Sequence, residues 1–206
     1  MNYTANESVL VGLTGGIATG KSTVIQYLRE NGYSVIDADK LGHRVLEPGS
    51  YGYQQIVETF GIEIINPDGT VNRPALGKLV FGDLQKLKEL NKISHPIIAE
   101  MIQTEYEKLV ADSVDNIVFL EAALLIEANW HKVCQHIWVV TLVPEIAMLR
   151  LQERDGLNKT EAQARIESQL SPDDRLSYAD VVLKNEGSQE DLIIKTQHAL
   201  QELKQL

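Results

Sequence analysis

Eight residues near the start of the chain, Gly15 to Ser22, follow the pattern G-x-x-x-x-G-K-[ST]. In such a loop the glycines let backbone N–H groups curl around phosphate oxygens. The lysine, here Lys21, reaches the β- and γ-phosphates, and the Ser22 hydroxyl can ligate Mg²⁺. The apolar run Val9 to Leu13 precedes the loop and an amphipathic stretch follows it, as this motif requires. We therefore expect a nucleotide phosphate site here, not a glycine-rich turn without a ligand.

Two carboxylates stand at the end of the second apolar run, in Asp37-Ala38-Asp39. Side chains two residues apart at a strand end point to the same side, so one can hold a metal through water while the other approaches a hydroxyl. A helix N-cap followed by a solvated acid is the alternative. Glu121, which ends the third run, and Glu127 are candidates for a metal-side or substrate contact, or for a buried acid that backbone amides satisfy.

Arginines gather in the last third of the chain. Arg150 and Arg154 lie four residues apart on the helix predicted after Pro144, so they share a face, and Arg165 and Arg175 follow. Phosphoryl transfer spreads negative charge over oxygens, and a closing segment that carries arginines neutralises this charge while it excludes water. We expect a lid here. The alternative is pairing with surface acids, namely Glu153, Asp155, Glu161 or Asp174.

A phosphate loop alone does not distinguish a GTPase, an ATP-driven machine and a small-molecule kinase. A GTPase reads guanine with N-K-x-D, and the segment NKIS from Asn91 to Ser94 lacks the aspartate. The segment DKLG from Asp39 to Gly42 fits the switch pattern D-x-x-G but follows the second run too closely. These observations disfavour a GTPase.

Five short apolar runs with helical stretches between them predict an α/β fold, with a parallel sheet of about five strands covered on both faces. The long stretch between the second and third runs contains several helical patterns and a turn at Asn66 to Gly69. It predicts a helical insertion beside the strand ends, where open α/β sheets bind ligands. Two short helices are predicted before the last run, from a capping-box spacing at Thr160 to Gln163 and from Ser171-Pro172.

Length and composition bound the possible functions. The chain has 206 residues, a formal net charge of -10 and one cysteine, Cys134, which we expect to be a buried thiol without a redox or catalytic role. The negative charge disfavours nucleic acid as a partner. No apolar run has the length of a membrane span, and the segment MNYTANES lacks the features of a signal peptide. We therefore expect a soluble, cytoplasmic protein that does not bind membranes.

Taken together, these residues resemble those of the dephospho-coenzyme A kinases, P-loop kinases that use ATP to phosphorylate the ribose 3′-hydroxyl of dephospho-coenzyme A. This reaction is the last step of coenzyme A synthesis. Single segments of the resemblance are modest, but their order along nearly the whole chain is specific. They are GLTGGIATGKST, VIDADKLGHRVLEPG, NRPALGKLVF, LNKISHP, ALLIE, RLQERDG and ADVVLKNEG.

The resemblance implies roles for individual residues. Asp39 would be the base for the ribose hydroxyl, with Lys21 and Arg150 as the other catalytic residues. Mg²⁺ would lie at Ser22 and Asp37. Contacts with ATP are implied for Gly15, Gly16, Ala18, Thr19, Gly20, Lys21, Ser22, Thr23, Arg150 and Asn185, the last near the adenine. Contacts with dephospho-coenzyme A are implied for Asp37, Asp39, Arg73, His95 and Glu127. For His95, a residue at the start of a helix is the alternative, because proline follows it.

The resemblance also implies a division of the chain. Residues 1–39, 115–149 and 179–206 would form the nucleotide-binding core, residues 40–114 the helical substrate region, and residues 150–178 the lid. Two departures from the family pattern stand out. Ala123 begins the segment where many members have proline, and His43 with Arg44 replaces a family arginine. Among enzymes, the alternative function is a kinase that phosphorylates a nucleoside monophosphate or another small alcohol. Among proteins without catalytic activity, the alternative is a nucleotide-dependent binding or scaffold subunit.

Overall fold

The computed structural model describes residues 8–205, apart from the side chain of Phe81. The segment MNYTANE at residues 1–7, which entered the expectation that the chain has no signal peptide, lies outside the described residues. The chain divides into two compact units. One contains the chain up to Ile36 and the chain from Tyr106 onward, and the other extends from Asp37 to Glu105.

A parallel sheet forms the centre of the first unit, and its five strands confirm the predicted fold class. Strand β1 lies in the middle and pairs in parallel with β3 and β4, while β4 also pairs with β5; the order is β2-β3-β1-β4-β5. Every residue of β1 is buried, which explains its continuous apolar pattern. The strands are β1 (Val9–Gly15), β2 (Ser34–Asp37), β3 (Ile117–Glu121), β4 (His136–Thr141) and β5 (Val181–Lys184).

Helices make up most of the remaining described chain. The α-helices are α1 (Lys21–Glu30), α2 (Ala38–Val45), α3 (Tyr51–Phe60), α4 (Arg73–Phe81), α5 (Leu84–Leu109), α6 (Pro144–Asp155), α7 (Lys159–Glu167), α8 (Pro172–Leu176) and α9 (Gln189–Leu203). Short 3-10 helices lie at Ile62–Ile64, Val110–Asp112, Val114–Asn116 and Trp130–Val133. No helix within residues 8–205 is long and apolar enough to cross a membrane.

The core of the first unit packs β1, β3, β4 and β5 against α1 and α9. Phe119 and Trp138, from the two strands that flank β1, meet edge to face with ring centroids 5.2 Å apart. Leu28 of α1 and Leu192 of α9 are buried in the same cluster. Burying each of these side chains stabilises the fold by about 1.5–3 kcal/mol. The strand β1 and the helix α1, which carry the phosphate loop between them, are therefore firmly anchored.

The sequence predicts two helix starts in the last third of the chain. The structure confirms the predicted start of α8 and corrects that of α7. Ser171 caps α8, where its Oγ accepts a hydrogen bond from the backbone N–H of Asp174 at 3.1 Å. The predicted capping box at Thr160 is wrong. The box is formed by Asn158 and Glu161, which exchange two hydrogen bonds of 3.0 Å, so α7 begins at Lys159. Asparagine and threonine are both good N-cap residues, and each is followed three residues later by a side chain that can accept a hydrogen bond, Glu161 after Asn158 and Gln163 after Thr160. The sequence pattern therefore fits both positions.

The second unit, Asp37 to Glu105, is helical. The sequence predicts a helical region at residues 40–114, which covers most of this unit. The turn at Asn66 to Gly69 is confirmed by a hydrogen bond of 2.9 Å from the Gly69 N–H to the Asn66 carbonyl oxygen. The alternative that His95 starts a helix is wrong, because His95 and Pro96 lie inside α5. Proline removes one backbone donor there, but the long helix continues on both sides of it.

The reactivity of the Cys134 thiol tests whether this side chain is buried in the first unit. Burial raises the pKa of its thiol to about 12, and the thiol donates to the Trp130 carbonyl oxygen at 3.6 Å. The thiolate is the reactive species, so the reaction of the folded protein with a disulfide reagent at about pH 8 should be roughly a thousandfold slower than that of free cysteine. Stopped-flow absorbance measures this rate. The protein unfolded in urea is the control and should react at the rate of free cysteine; a folded rate close to that rate would contradict the burial.

Candidate active site

The phosphate loop connects the buried strand β1 to helix α1. Ala18 and Gly20 adopt left-handed backbone conformations, with φ of 60° and 95°. The Thr19 hydroxyl donates to the Gly16 carbonyl oxygen at 2.8 Å, which closes the turn. Helix α1 then begins at Lys21, directly after the left-handed glycine. The loop therefore directs the N-terminus of α1, with its unpaired N–H groups and positive end of the helix dipole, to the site where phosphates bind.

Asn185, at the end of the edge strand β5, holds this loop in place. It follows β5 directly, is buried, and donates from Nδ2 to the Thr19 carbonyl oxygen at 2.8 Å. Its own backbone N–H donates to the Thr141 carbonyl oxygen at 2.9 Å, at the end of β4. The Asn185 side chain therefore contacts the phosphate loop directly.

Lys21, at the start of α1, and Glu121, at the end of β3, form an ion pair. Their Nζ and Oε1 atoms are 3.7 Å apart, and the side chains are 15% and 19% exposed. Glu121 is in register with Leu13 of β1, which explains why it lies beside the loop. The structure therefore places the Glu121 carboxylate next to the lysine of the phosphate-loop motif.

Two of the four arginines in the last third pair on the surface, as the alternative interpretation predicts. Arg154 and Arg165 both bind Asp155, with N–O distances of 2.7 and 2.6 Å. The hydrogen bond from Arg154 holds the pKa of the Asp155 carboxyl below its usual value. Arg150 is half-buried, and no ion pair or hydrogen bond of its side chain is found within residues 8–205. It therefore remains available to an anion.

Arg175 has a different environment. It is 3% exposed, and its guanidinium group lies against Gly16 of the phosphate loop. Glu127 contacts the same segment of chain: its Oε1 accepts from the Leu170 N–H at 3.2 Å and is 3.7 Å from Nη2 of Arg175. Gln169 Oε1 accepts from the N–H of Ile17 in the phosphate loop at 2.9 Å. The chain between α7 and α8 is thereby attached to the loop.

A cavity of about 100 Å³ lies between the phosphate loop and this segment. The loop contributes Gly16, Ile17 and Thr19 to its wall. The end of β4, the first turns of α6 and the chain from Ile166 to Arg175 complete it. Most of this wall is apolar, so a charged group inside the cavity interacts in a medium of low dielectric constant.

The candidate residues of the second unit have the following environments. Asp37 caps α2, because its Oδ1 accepts from the Lys40 N–H at 3.0 Å, whereas Asp39 is exposed in the first turn of the same helix. Arg73 is exposed at the start of α4. Burial lowers the pKa of His95, so this side chain is neutral near pH 7. Arg44, one of the departures from the family pattern, binds Glu105 at 3.0 Å.

No cluster of three or more acidic, histidine or cysteine side chains that could hold a metal is found within residues 8–205. Mg²⁺ at a nucleotide does not need such a cluster, because it keeps several waters and binds phosphate oxygens with one or two protein oxygens. Ser22, in the first turn of α1, is exposed and can supply a hydroxyl oxygen. The residues present therefore fit a magnesium ion that arrives with the nucleotide.

Comparison with known proteins assigns the family. The model of the dephospho-CoA kinase family matches residues 9–191. The chain belongs to the dephospho-CoA kinase family. Relatives named dephospho-CoA kinase include one from Dehalococcoides mccartyi, 44% identical over 89% of this chain and 91% of its own. Another, from Carboxydothermus hydrogenoformans, is 42% identical over 87% of this chain and 86% of its own.

Solved structures agree with this assignment. The protein TT1252 from Thermus thermophilus has a TM-score of 0.81 at 34% identity, over 96% of this chain and 99% of its own. A dephospho-CoA kinase from Campylobacter jejuni has a TM-score of 0.71 at 27% identity, over 95% and 96%. A shikimate kinase from Acinetobacter baumannii, at 15% identity and a TM-score of 0.53, shares the fold alone. The chain is thus a kinase of the P-loop class.

Sequence reasoning missed two contacts of the phosphate loop. Gln169 carries no motif, and its partner Ile17 is 152 residues away. The sequence predicts Arg175 only as one of several lid arginines, because nothing in its neighbouring residues shows that it is buried. For Asn185 the resemblance indicated a nucleotide-site residue, but the bond to Thr19 depends on the order of strands in the sheet.

Gly20→Ala tests how tightly the loop is constrained. A Cβ atom at Gly20 would lie 2.3 Å from Nδ2 of Asn185, and the φ of 95° is unfavourable for alanine. The variant should lose about 1 kcal/mol through φ and at least another 1 kcal/mol through the displaced Asn185 bond. Urea denaturation measures the free energy of unfolding. Gly69→Ala is the matched control, since Gly69 has a φ of 84° and a Cβ atom there would have no neighbour within 4 Å. This variant should lose only the roughly 1 kcal/mol that the backbone conformation costs. Equal losses would contradict the constraint.

Proposed function

We propose that this chain transfers the γ-phosphoryl group of ATP to the ribose 3′-hydroxyl of dephospho-coenzyme A, which gives coenzyme A and ADP. The observation that carries this proposal is the intact phosphate loop, with Lys21 at the start of α1, in a chain whose residues 9–191 match the dephospho-CoA kinase family. Relatives at 44% and 42% identity bear the name of the same kinase.

On the donor side, the N–H groups of the loop and the N-terminus of α1 bind the phosphates of ATP. Lys21 exchanges its ion pair with Glu121, at 3.7 Å, for contacts with the β- and γ-oxygens. Ser22, through its hydroxyl, and Asp37, through water, would hold Mg²⁺, and the ion would supply positive charge to the phosphates of ATP. Arg150, which has no partner within the described residues, neutralises charge that develops on the transferred group.

On the acceptor side, Asp39 takes the proton of the ribose 3′-hydroxyl while the hydroxyl oxygen forms its bond to the γ-phosphorus. The bond from this phosphorus to the oxygen between the β- and γ-phosphates breaks in the same step, and ADP leaves. Asp39 suits this role because its carboxylate is exposed in the first turn of α2, while the neighbouring Asp37 is engaged as the helix cap. A base must first reach the hydroxyl, and an exposed carboxylate is free to do so.

We further propose that residues 40–114 supply the site for dephospho-coenzyme A and that residues 150–178 act as the lid. Arg73 is exposed at the N-terminus of α4 and carries the positive charge that a phosphate of the acceptor requires. His95, neutral near pH 7, offers a hydrogen bond without a charge. Glu127 contributes indirectly, because it binds Leu170 and Arg175 of the lid segment.

A substrate panel tests the acceptor. The protein is incubated with Mg-ATP and, in separate reactions, with dephospho-coenzyme A, AMP, CMP and pantothenate, and mass spectrometry detects the products. We expect the mass of one added phosphate on dephospho-coenzyme A alone. Phosphorylation of another acceptor instead would retain the kinase chemistry and reject the substrate, and ATP hydrolysis that no acceptor stimulates would favour a nucleotide-dependent scaffold.

Asp39→Asn tests the base. The amide keeps the size of the side chain but cannot accept the hydroxyl proton, so kcat should fall by about 10²-fold or more while the Kd for ATP stays nearly constant. Steady-state kinetics and calorimetry measure the two values. Glu190→Gln is the control, because Glu190 is likewise exposed in the first turn of a helix, α9, and should turn over like the unmodified protein. Unchanged turnover in Asp39→Asn would remove Asp39 as the base.

A further inference from the structure

The structure assigns Arg175 to the nucleotide site: we propose that its guanidinium group binds phosphate oxygens of ATP, in addition to Lys21 and Arg150. This inference rests on the proposed function for the identity of the phosphate donor. The family resemblance does not single out Arg175, and the sequence predicts it only as one of several lid arginines, with pairing to a surface acid such as Asp174 as the alternative. Arg175 is buried, incompletely paired and positioned against the phosphate loop.

The burial of Arg175 is unusual for an arginine. The residue is 3% exposed, although it lies on the five-residue helix α8, whose other residues are more exposed. Its Nε and Nη2 atoms are buried and have no hydrogen-bond partner within the described residues. Removing a guanidinium group from water without replacing its hydrogen bonds is costly. An arginine in such a position calls for a ligand with several acceptor oxygens.

Glu127 compensates only part of this charge. Its Oε1 is 3.7 Å from Nη2, which is an ion-pair distance but too long for a hydrogen bond. The same oxygen also accepts from the Leu170 N–H at 3.2 Å. Desolvation lowers the pKa of Arg175, and Glu127 offsets this only in part. Glu127 therefore positions the guanidinium group but leaves most of its donors free.

The third nitrogen of the guanidinium group, Nη1, lies beside the phosphate loop. Nη1 would be 3.4 Å from a Cβ atom placed on Gly16, which is a van der Waals contact distance, so the guanidinium group and the loop backbone are immediate neighbours. Arg175 also lines the cavity whose wall includes Gly16, Ile17 and Thr19. Because the loop cradles phosphates with its N–H groups, an anion bound there is close to Arg175. Phosphate oxygens match a planar guanidinium group better than they match an ammonium group.

A hydrogen bond holds the segment that carries Arg175 against the loop. Gln169 Oε1 accepts from the Ile17 N–H at 2.9 Å, three residues before α8 begins. One N–H group of the loop, that of Ile17, is therefore paired with an oxygen of this segment. The arrangement presents Arg175 to the phosphates without requiring the segment to travel. By contrast, Arg154 and Arg165 form ion pairs with Asp155 at the surface.

Arg175→Met tests the contact through binding as well as turnover. Methionine is unbranched and apolar, so it can fill the buried space without a charge. Calorimetry with a non-hydrolysable imido analogue of ATP should give a Kd weaker by about tenfold or more, because a charge-assisted phosphate contact is lost. Binding of adenosine, which has no phosphate, should change by less than about twofold. The Tm without nucleotide should not fall, since an incompletely paired buried charge is removed.

Two further variants complete the experiment. Arg29→Met, at an exposed arginine in the last turn of α1, is the control and should bind the analogue like the unmodified protein. Arg175→Lys keeps the charge and should fall between the unmodified protein and Arg175→Met; it also supplies the measurement if Arg175→Met does not fold. Unchanged affinity of both Arg175 variants for the analogue would overturn the proposal, as would equal weakening for adenosine.

These outcomes are separable from those that test the proposed function. If the unmodified protein binds the analogue more tightly than Arg175→Met but phosphorylates no dephospho-coenzyme A, the acceptor assignment fails and the Arg175 contact stands. If the unmodified protein phosphorylates dephospho-coenzyme A and Arg175→Met binds the analogue equally well, the Arg175 contact alone fails.

Discussion

The hydrogen bond from Asn185 to the Thr19 carbonyl oxygen is the constraint on which the site depends. It ties the residue after an edge strand to the turn after the central strand, at 2.8 Å and out of contact with solvent. The turn needs left-handed conformations at Ala18 and Gly20, which cost energy outside glycine. A buried bond offsets that cost, and the start of α1 and the position of Lys21 follow from it.

Electrostatics at the loop have a common pattern. The chain as a whole carries a formal charge of -10, yet two nearly buried cations, Lys21 and Arg175, lie at the phosphate loop. Each has a carboxylate partner, Glu121 or Glu127, at 3.7 Å. This distance gives attraction in a medium of low dielectric constant without the fixed geometry of a hydrogen bond. Such pairs keep the cations in place and leave their donors available for phosphate oxygens.

The arginines of the last third show how environment separates residues of one type. Arg154 and Arg165 share one aspartate in water, where an ion pair contributes about 0–1 kcal/mol, so they serve the surface of the segment. Arg175 loses its water almost completely, and Arg150 lies between these extremes. Only the residues that lack full compensation retain a strong preference for an anion.

Local features determined by the sequence include the short apolar runs of the five strands, the phosphate-loop turn, the Ser171 cap and the turn at Asn66, because each depends on neighbours within a few residues. Competing local signals led to the wrong capping box at α7 and to the alternative that His95 starts a helix. The tertiary structure alone decided which carboxylate pairs with Lys21, which amide holds the loop and which arginine is buried beside it. Those partners are 100 to 166 residues apart, and the order of strands in the sheet brings them together.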